Sequence, residues 1–93
     1  MRAIWNDTVL AESNDTVEVE GNQYFPEDSL NYDFFRPSAH LSTCPWKGEA
    51  HYMHIAAAGG VNPDAAWYYP EPLPDAAHLA GRVAFWNGVV VSE

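Results

Sequence analysis

Between Thr43 and Ile55 the chain reads T-C-P-W-K-G-E-A-H-Y-M-H-I, a stretch holding its only cysteine, its only lysine and two of its four histidines. Across a Cys44-Pro45-Trp46-Lys47 turn the first and fourth residues come within about 7 Å between α-carbons, so the ammonium can reach the thiol. A neighbouring cation favours the thiolate, which is the attacking form. A base drawn from His40, His51 or His54 would complete a cysteine nucleophile, and Cys44 with Lys47 is the candidate catalytic pair. The same residues allow a plainer reading. Cys44 can be a small buried apolar residue at a strand end. Lys47 can pair with one of the thirteen acids or cap the carbonyls of the turn before Gly48.

A second constellation is aromatic. Tyr24, Trp46, Tyr52, Trp67, Tyr69 and Trp86 lie in or beside the densest motifs. In Trp67-Tyr68-Tyr69 strand alternation sends Trp67 and Tyr69 to one face and Tyr68 to the other. Large rings are needed to fill a core, but apolar walls with a few placed polar groups also describe a small-molecule site. Tyr24, Trp46, Tyr52, Trp67 and Tyr69, with Lys47 as an anchor for an anionic ligand, form the candidate binding set. Their hydroxyls can donate to a ligand oxygen and their rings can stack on a planar or cationic group.

Metal chemistry finds less to work with. His51 and His54 would share a face on a helix but point to opposite sides of a strand, and a lone cysteine offers no C-x-x-C pair. No metal and no cofactor are assigned. Glu27 and Asp28 sit where acids favour the start of a helical turn, and Glu49 is placed for a surface ion pair with Lys47.

The elements that must position these residues are short and extended. A-I-W-N-D-T-V near one end and A-F-W-N-G-V-V near the other both read as hairpins, around Asn6-Asp7 and Asn87-Gly88, residues that tolerate the left-handed conformation such turns demand. Thr16 to Glu20 alternates as a strand with its valines on one face, and Gly21-Asn22 makes a tight turn. Pro26 introduces one helical turn over Glu27 to Leu30. Ala39 to Thr43 is extended, Pro45 keeps Cys44 out of the helical region, and Ala50 to Ala57 is a strand with Tyr52 and His54 on one side and His51, Met53 and Ile55 on the other. Gly59-Gly60 ends it. Ala65 to Tyr69 is a further strand, and Pro74 starts a short helix over Asp75 to Leu79 or Ala80. Turn signals every 8–12 residues predict a mostly β protein, with two sheets or a distorted open barrel.

Four stretches also resemble one known family in order and spacing: N-x-Y-F-P-E-D at 22–28, T-C-P-W-K-G-E-A-H-Y at 43–52, A-A-W-Y-Y-P-E-P-L-P at 65–74 and G-R-V-A-F-W at 81–86. This is the bacterial and fungal family called domain of unknown function 427, and the short form resembles members from cyanobacteria and actinobacteria. The resemblance covers the chain and implies a compact β-tent-like fold, two antiparallel sheets pinned at one edge and splayed at the other, with one or two short helices. Zinc-binding members of that wider class carry cysteine pairs, which this chain lacks. A nucleotidyltransferase label sometimes attached to the family has no counterpart here, since there is no glycine-rich phosphate loop and no Asp-x-Asp pair.

The bulk properties narrow the partners. A chain of 93 residues is expected to be one domain, residues 1–93, with a core that needs no staple. Four basic residues against thirteen acidic ones, a net charge of −9, leave too few cations for a nucleic-acid surface. No apolar run reaches the length of a membrane span, and M-R-A-I-W-N-D lacks the apolar stretch of a leader. One cysteine fits a reducing compartment, so the expected place is the cytoplasm. Edge strands leave room for a homodimer. The aromatics outnumber any assembled catalytic set, so the leading expectation is a module that binds a small molecule in a pocket between its sheets. An enzyme built on Cys44 and a purely structural or partner-binding domain are the alternatives.

Overall fold

The turn residues decide where the chain reverses. In the computed structural model, which describes residues 1–93, β1 (Arg2–Trp5) and β2 (Thr8–Glu12) pair across Asn6 and Asp7. Those two residues have φ of 54° and 59°, the left-handed pair that a two-residue hairpin needs. β3 (Val17–Val19) and β4 (Asn22–Pro26) form a second hairpin. Its turn is Glu20-Gly21, at φ 54° and 82°, one residue earlier than Gly21-Asn22. A meander follows: β5 (Phe35–Cys44), β6 (Gly48–Ala57) and β7 (Gly60–Tyr68). The chain finishes with β8 (Arg82–Phe85) and β9 (Val90–Ser92). The two expected helical turns are 3-10 turns, Glu27–Ser29 and Pro74–Leu79. A third, Tyr32–Phe34, was not expected from the sequence; the Asn31 side chain caps it by accepting from the Asp33 N–H at 3.2 Å.

The strands make two antiparallel sheets, three-stranded in the order β2-β1-β9 and six-stranded in the order β3-β4-β8-β7-β6-β5. One expectation is corrected here. Asn87-Gly88 reverses the chain, with the Val89 N–H donating to the Trp86 carbonyl, but β8 and β9 do not pair. β8 is flanked by β4 and β7, so neither of its edges is open, and β9 crosses to the other sheet and pairs with β1.

Both faces of the large sheet are covered. On one face Phe25, Phe35, Ile55, Val83 and Phe85 pack with Ala3, Leu10 and Ala11 of the small sheet, forming the core between the sheets. Phe85 meets Phe25 edge-on at 5.5 Å and Phe35 at 6.1 Å. On the opposite face Tyr24, Ala50, Tyr69 and Ala84 are buried under Ala76 and Leu79 of the last 3-10 turn. Alternation sorts neighbours between the two: Tyr24 from Phe25, Tyr52 from Met53, Trp67 and Tyr69 from Ala66 and Tyr68. The aromatic set expected between the sheets therefore lies on the outer face of the large sheet.

Candidate functional site

Strand register assembles the outer face. Tyr52 of β6 stands opposite Trp67 of β7, and Trp67 stands opposite Ala84 of β8. Ala84 contributes only a methyl group, and two further rings reach Trp67: Tyr24 at 6.2 Å and Trp86 at 6.1 Å, both close to perpendicular. Tyr69, two residues beyond Trp67, falls on the same face. Tyr52, Trp67, Tyr69 and Trp86 alone line an open cleft of about 210 Å³. The rings are held from behind. The Tyr52 hydroxyl is 2.8 Å from Ser42 Oγ and its ring is 4.6 Å from that of His40. Trp86 donates its indole N–H to the Asp64 carbonyl and its main-chain N–H to Ala65.

Lys47 ends the Pro45–Lys47 turn joining β5 to β6. Gly48 after it has φ 113°, and a Cβ there would meet the Glu71 carbonyl at 3.2 Å, so conformation and space both call for glycine. The Leu73 N–H donates to the Lys47 carbonyl at 2.9 Å and fixes the turn against the proline-rich loop. Only 8% of Lys47 is exposed. Its ammonium forms an ion pair with Glu20 and lies 5.2 Å from the Trp46 ring centre and 5.9 Å from that of Tyr69. Burial disfavours the charge, but the Glu20 carboxylate, with Tyr24, Tyr69 and Cys44, outweighs it and holds Lys47 above the ordinary lysine range.

The two phenols beside this pair are held neutral. Burial, reinforced by Tyr24 and only partly offset by Lys47, pushes Tyr69 up to about 12. Burial likewise raises Tyr24, against the opposing pull of Trp67, Lys47 and Tyr69. The Tyr24 hydroxyl is fully buried; the polar groups of Trp67 and Tyr69 act on it, but neither meets hydrogen-bond geometry.

The candidate residues thus divide into three groups. Tyr52, Trp67 and Tyr69 share the open cleft. Tyr24, Lys47 and Cys44 belong to the closed part of the cluster. Trp46 turns to a separate groove with Pro45, Leu73 and Pro74, so it does not join the cleft. Cys44 is half-buried and makes no side-chain hydrogen bond. The three histidines considered as its base are engaged elsewhere: His40 against Tyr52, His51 with Glu49 at 3.0 Å, and His54 accepting at Nδ1 from the Asp64 N–H at 3.1 Å. Glu49 pairs with His51, and the partner of Lys47 is Glu20.

Trp86 is the cleft residue that the candidate set omits. The turn at Asn87-Gly88 lies beside it as expected, but β9 crosses to the other sheet and does not pair with β8, and Trp86 is laid against Trp67. The Asp64 carbonyl that orients it was also out of reach, because the strand expected over Ala65 to Tyr69 begins after it, while the structure runs β7 from Gly60 through Asp64 at φ 54°.

No curated protein matches this chain. The model of one family, described as a domain of unknown function (DUF427), matches residues 1–93, a span that takes in all four motifs from Asn22 to Trp86. The protein belongs to the DUF427 family.

Proposed function

We propose that this domain binds a small molecule, and that the ligand sits in the cleft of Tyr52, Trp67, Tyr69 and Trp86. The observation that carries this reading is the cleft's composition, four aromatic rings and no other residue, with Trp86 47% exposed although a buried position would stabilise it more. Apolar walls with hydroxyls at their edges suit a small ligand. Lys47 then has a different role from the anionic anchor suggested by the sequence. Its charge is already matched by Glu20, and it supports Tyr69 from within. Cys44 lies outside the cleft lining and is not needed for binding.

The test is a screen of a chemically diverse small-molecule library against the full chain, followed through the indole N–H resonances of its tryptophans. Binders should shift the Trp67 and Trp86 signals, leave Trp5 unmoved, and lose their effect in Trp86→Leu. Cys44→Ser should bind as the parent does. A library that moves neither cleft indole, or binders unaffected by Trp86→Leu, would refute the reading.

A further inference from the structure

We infer that the cleft takes the headgroup of a small quaternary or methylated ammonium compound. This rests on the binding reading above and goes further by assigning the charge and substitution of the ligand.

Charge comes first. Aromatic faces carry the negative part of the ring quadrupole and attract cations, and four rings surround this cleft. An anion would need a free cation, and the lysine and all three arginines are already engaged. Arg2 pairs with Glu12 and Arg82 with Asp15. Arg36 donates to the carbonyls of Asp33 and Phe35, and Lys47 pairs with Glu20. None of the four lines the cleft. The chain as a whole carries a net charge of −9, which raises the local concentration of cations. Beside the cleft, the ammonium of Lys47 lies over the Trp46 and Tyr69 rings as well as pairing with Glu20.

Substitution follows from the missing acceptors. A bare ammonium leaving water must find partners for its N–H groups or bear the cost of their desolvation. The polar atoms of the walls are largely committed: Tyr52 to Ser42, and the Trp86 N–H, a donor in any case, to Asp64. A quaternary nitrogen has no N–H to satisfy and presents methyl groups to the rings. Size agrees. At about 210 Å³ the cleft falls below the ~300–1,000 Å³ of sites that enclose a drug-sized ligand, so it fits a headgroup.

The experiment titrates the full chain with choline, with its neutral carbon isostere 3,3-dimethylbutan-1-ol, and with ethanolamine, reading tryptophan fluorescence and the indole resonances. Choline should bind at least about tenfold more tightly than either analogue, as cation–π attraction summed over several rings implies. Trp86→Leu and, separately, Tyr52→Leu should each weaken choline by about tenfold while melting close to the parent. Equal binding of choline and the isostere would overturn the inference while leaving the cleft as a small-molecule site. Equal binding of ethanolamine would overturn the preference for methylation. No response to choline would also overturn the inference, leaving the library screen to decide the broader reading. Tighter binding of a trimethyllysine peptide than of choline would overturn the assignment to a free small molecule.

Discussion

The two faces of the six-stranded sheet are built from alternate residues of the same strands, yet they differ in kind. Toward the small sheet the buried rings are Phe25, Phe35 and Phe85, packed with Ile55 and Val83 and carrying no polar atom, while Tyr68 and Trp5 are only partly buried against them. Toward the other side they are Tyr24, Tyr52, Trp67 and Tyr69, each with a polar tip, gathered beside a buried ion-paired lysine. Burial alone explains the first face. The second keeps hydroxyls, indole nitrogens and an ammonium out of bulk water, which costs free energy unless each finds a partner, and Tyr24 finds none. The proposed binding cleft lies on this face, which retains such groups where phenylalanine or leucine would pack.

Substitutions can test that contrast, the largest effect first. Phe25→Ala removes a fully buried ring from the core between the sheets and should cost about 3–5 kcal/mol, read as a fall in the urea midpoint. An effect below about 1 kcal/mol would show that the two faces do not divide as described.

Alkaline pH should separate the faces next. Burial pushes Tyr69 up from its ordinary 10.0 to about 12 in the folded state, so its contribution is complete below pH 10 and disappears as pH rises through that interval. Its loss is on the order of 2–3 kcal/mol. Lys47, also raised in the folded state, loses its contribution on the same side, from its ordinary value of 10.5 upward. Melting temperature should therefore fall more steeply between about pH 10 and pH 12 in the parent than in Tyr69→Phe. Superimposable curves would remove Tyr69 from the argument.

Tyr24→Phe should produce the smallest change, and in the opposite direction. Deleting an unpaired buried hydroxyl relieves a desolvation cost, so a gain of up to about 1 kcal/mol is expected, seen as a rise of a few degrees in melting temperature. A loss of stability instead would show that the hydroxyl has a partner.

The sequence was most legible where local chemistry and tertiary structure agree. Asn6-Asp7 marks a hairpin because β1 and β2 both have edges free to pair. Asn87-Gly88 carries the stronger signal, but a turn dictates only that the chain reverses, and β8 had no edge left to offer. Strand lengths were lost for a related reason. β5 extends back to Phe35 through Pro37, which an edge strand tolerates, and its pairing with β6 shifts between Pro37 and Leu41. β7 absorbs Pro63 and the left-handed Asp64 with a similar shift. At the site, the alternation of Trp67 and Tyr69 against Tyr68 could be read directly, whereas the partner of Lys47 could not. Glu20 is one of thirteen acids, and only the pairing of the strands brings it to the ammonium.

The position of β1 has a consequence in time. It is the central strand of the small sheet, with Arg2 opposite Glu12 on one side and Ser92 on the other. The first partner is a local hairpin that can form within about 1–10 μs. The second comes from almost the far end of the chain, which makes its pairing slow in refolding. During synthesis, at ~5–20 residues per second, residues 90–92 follow β1 by roughly 4–17 s. Through that interval Ile4 stands on a strand with one ladder unmade, the kind of edge on which nascent chains associate. The small sheet is thus among the first parts of the fold to start and the last to close.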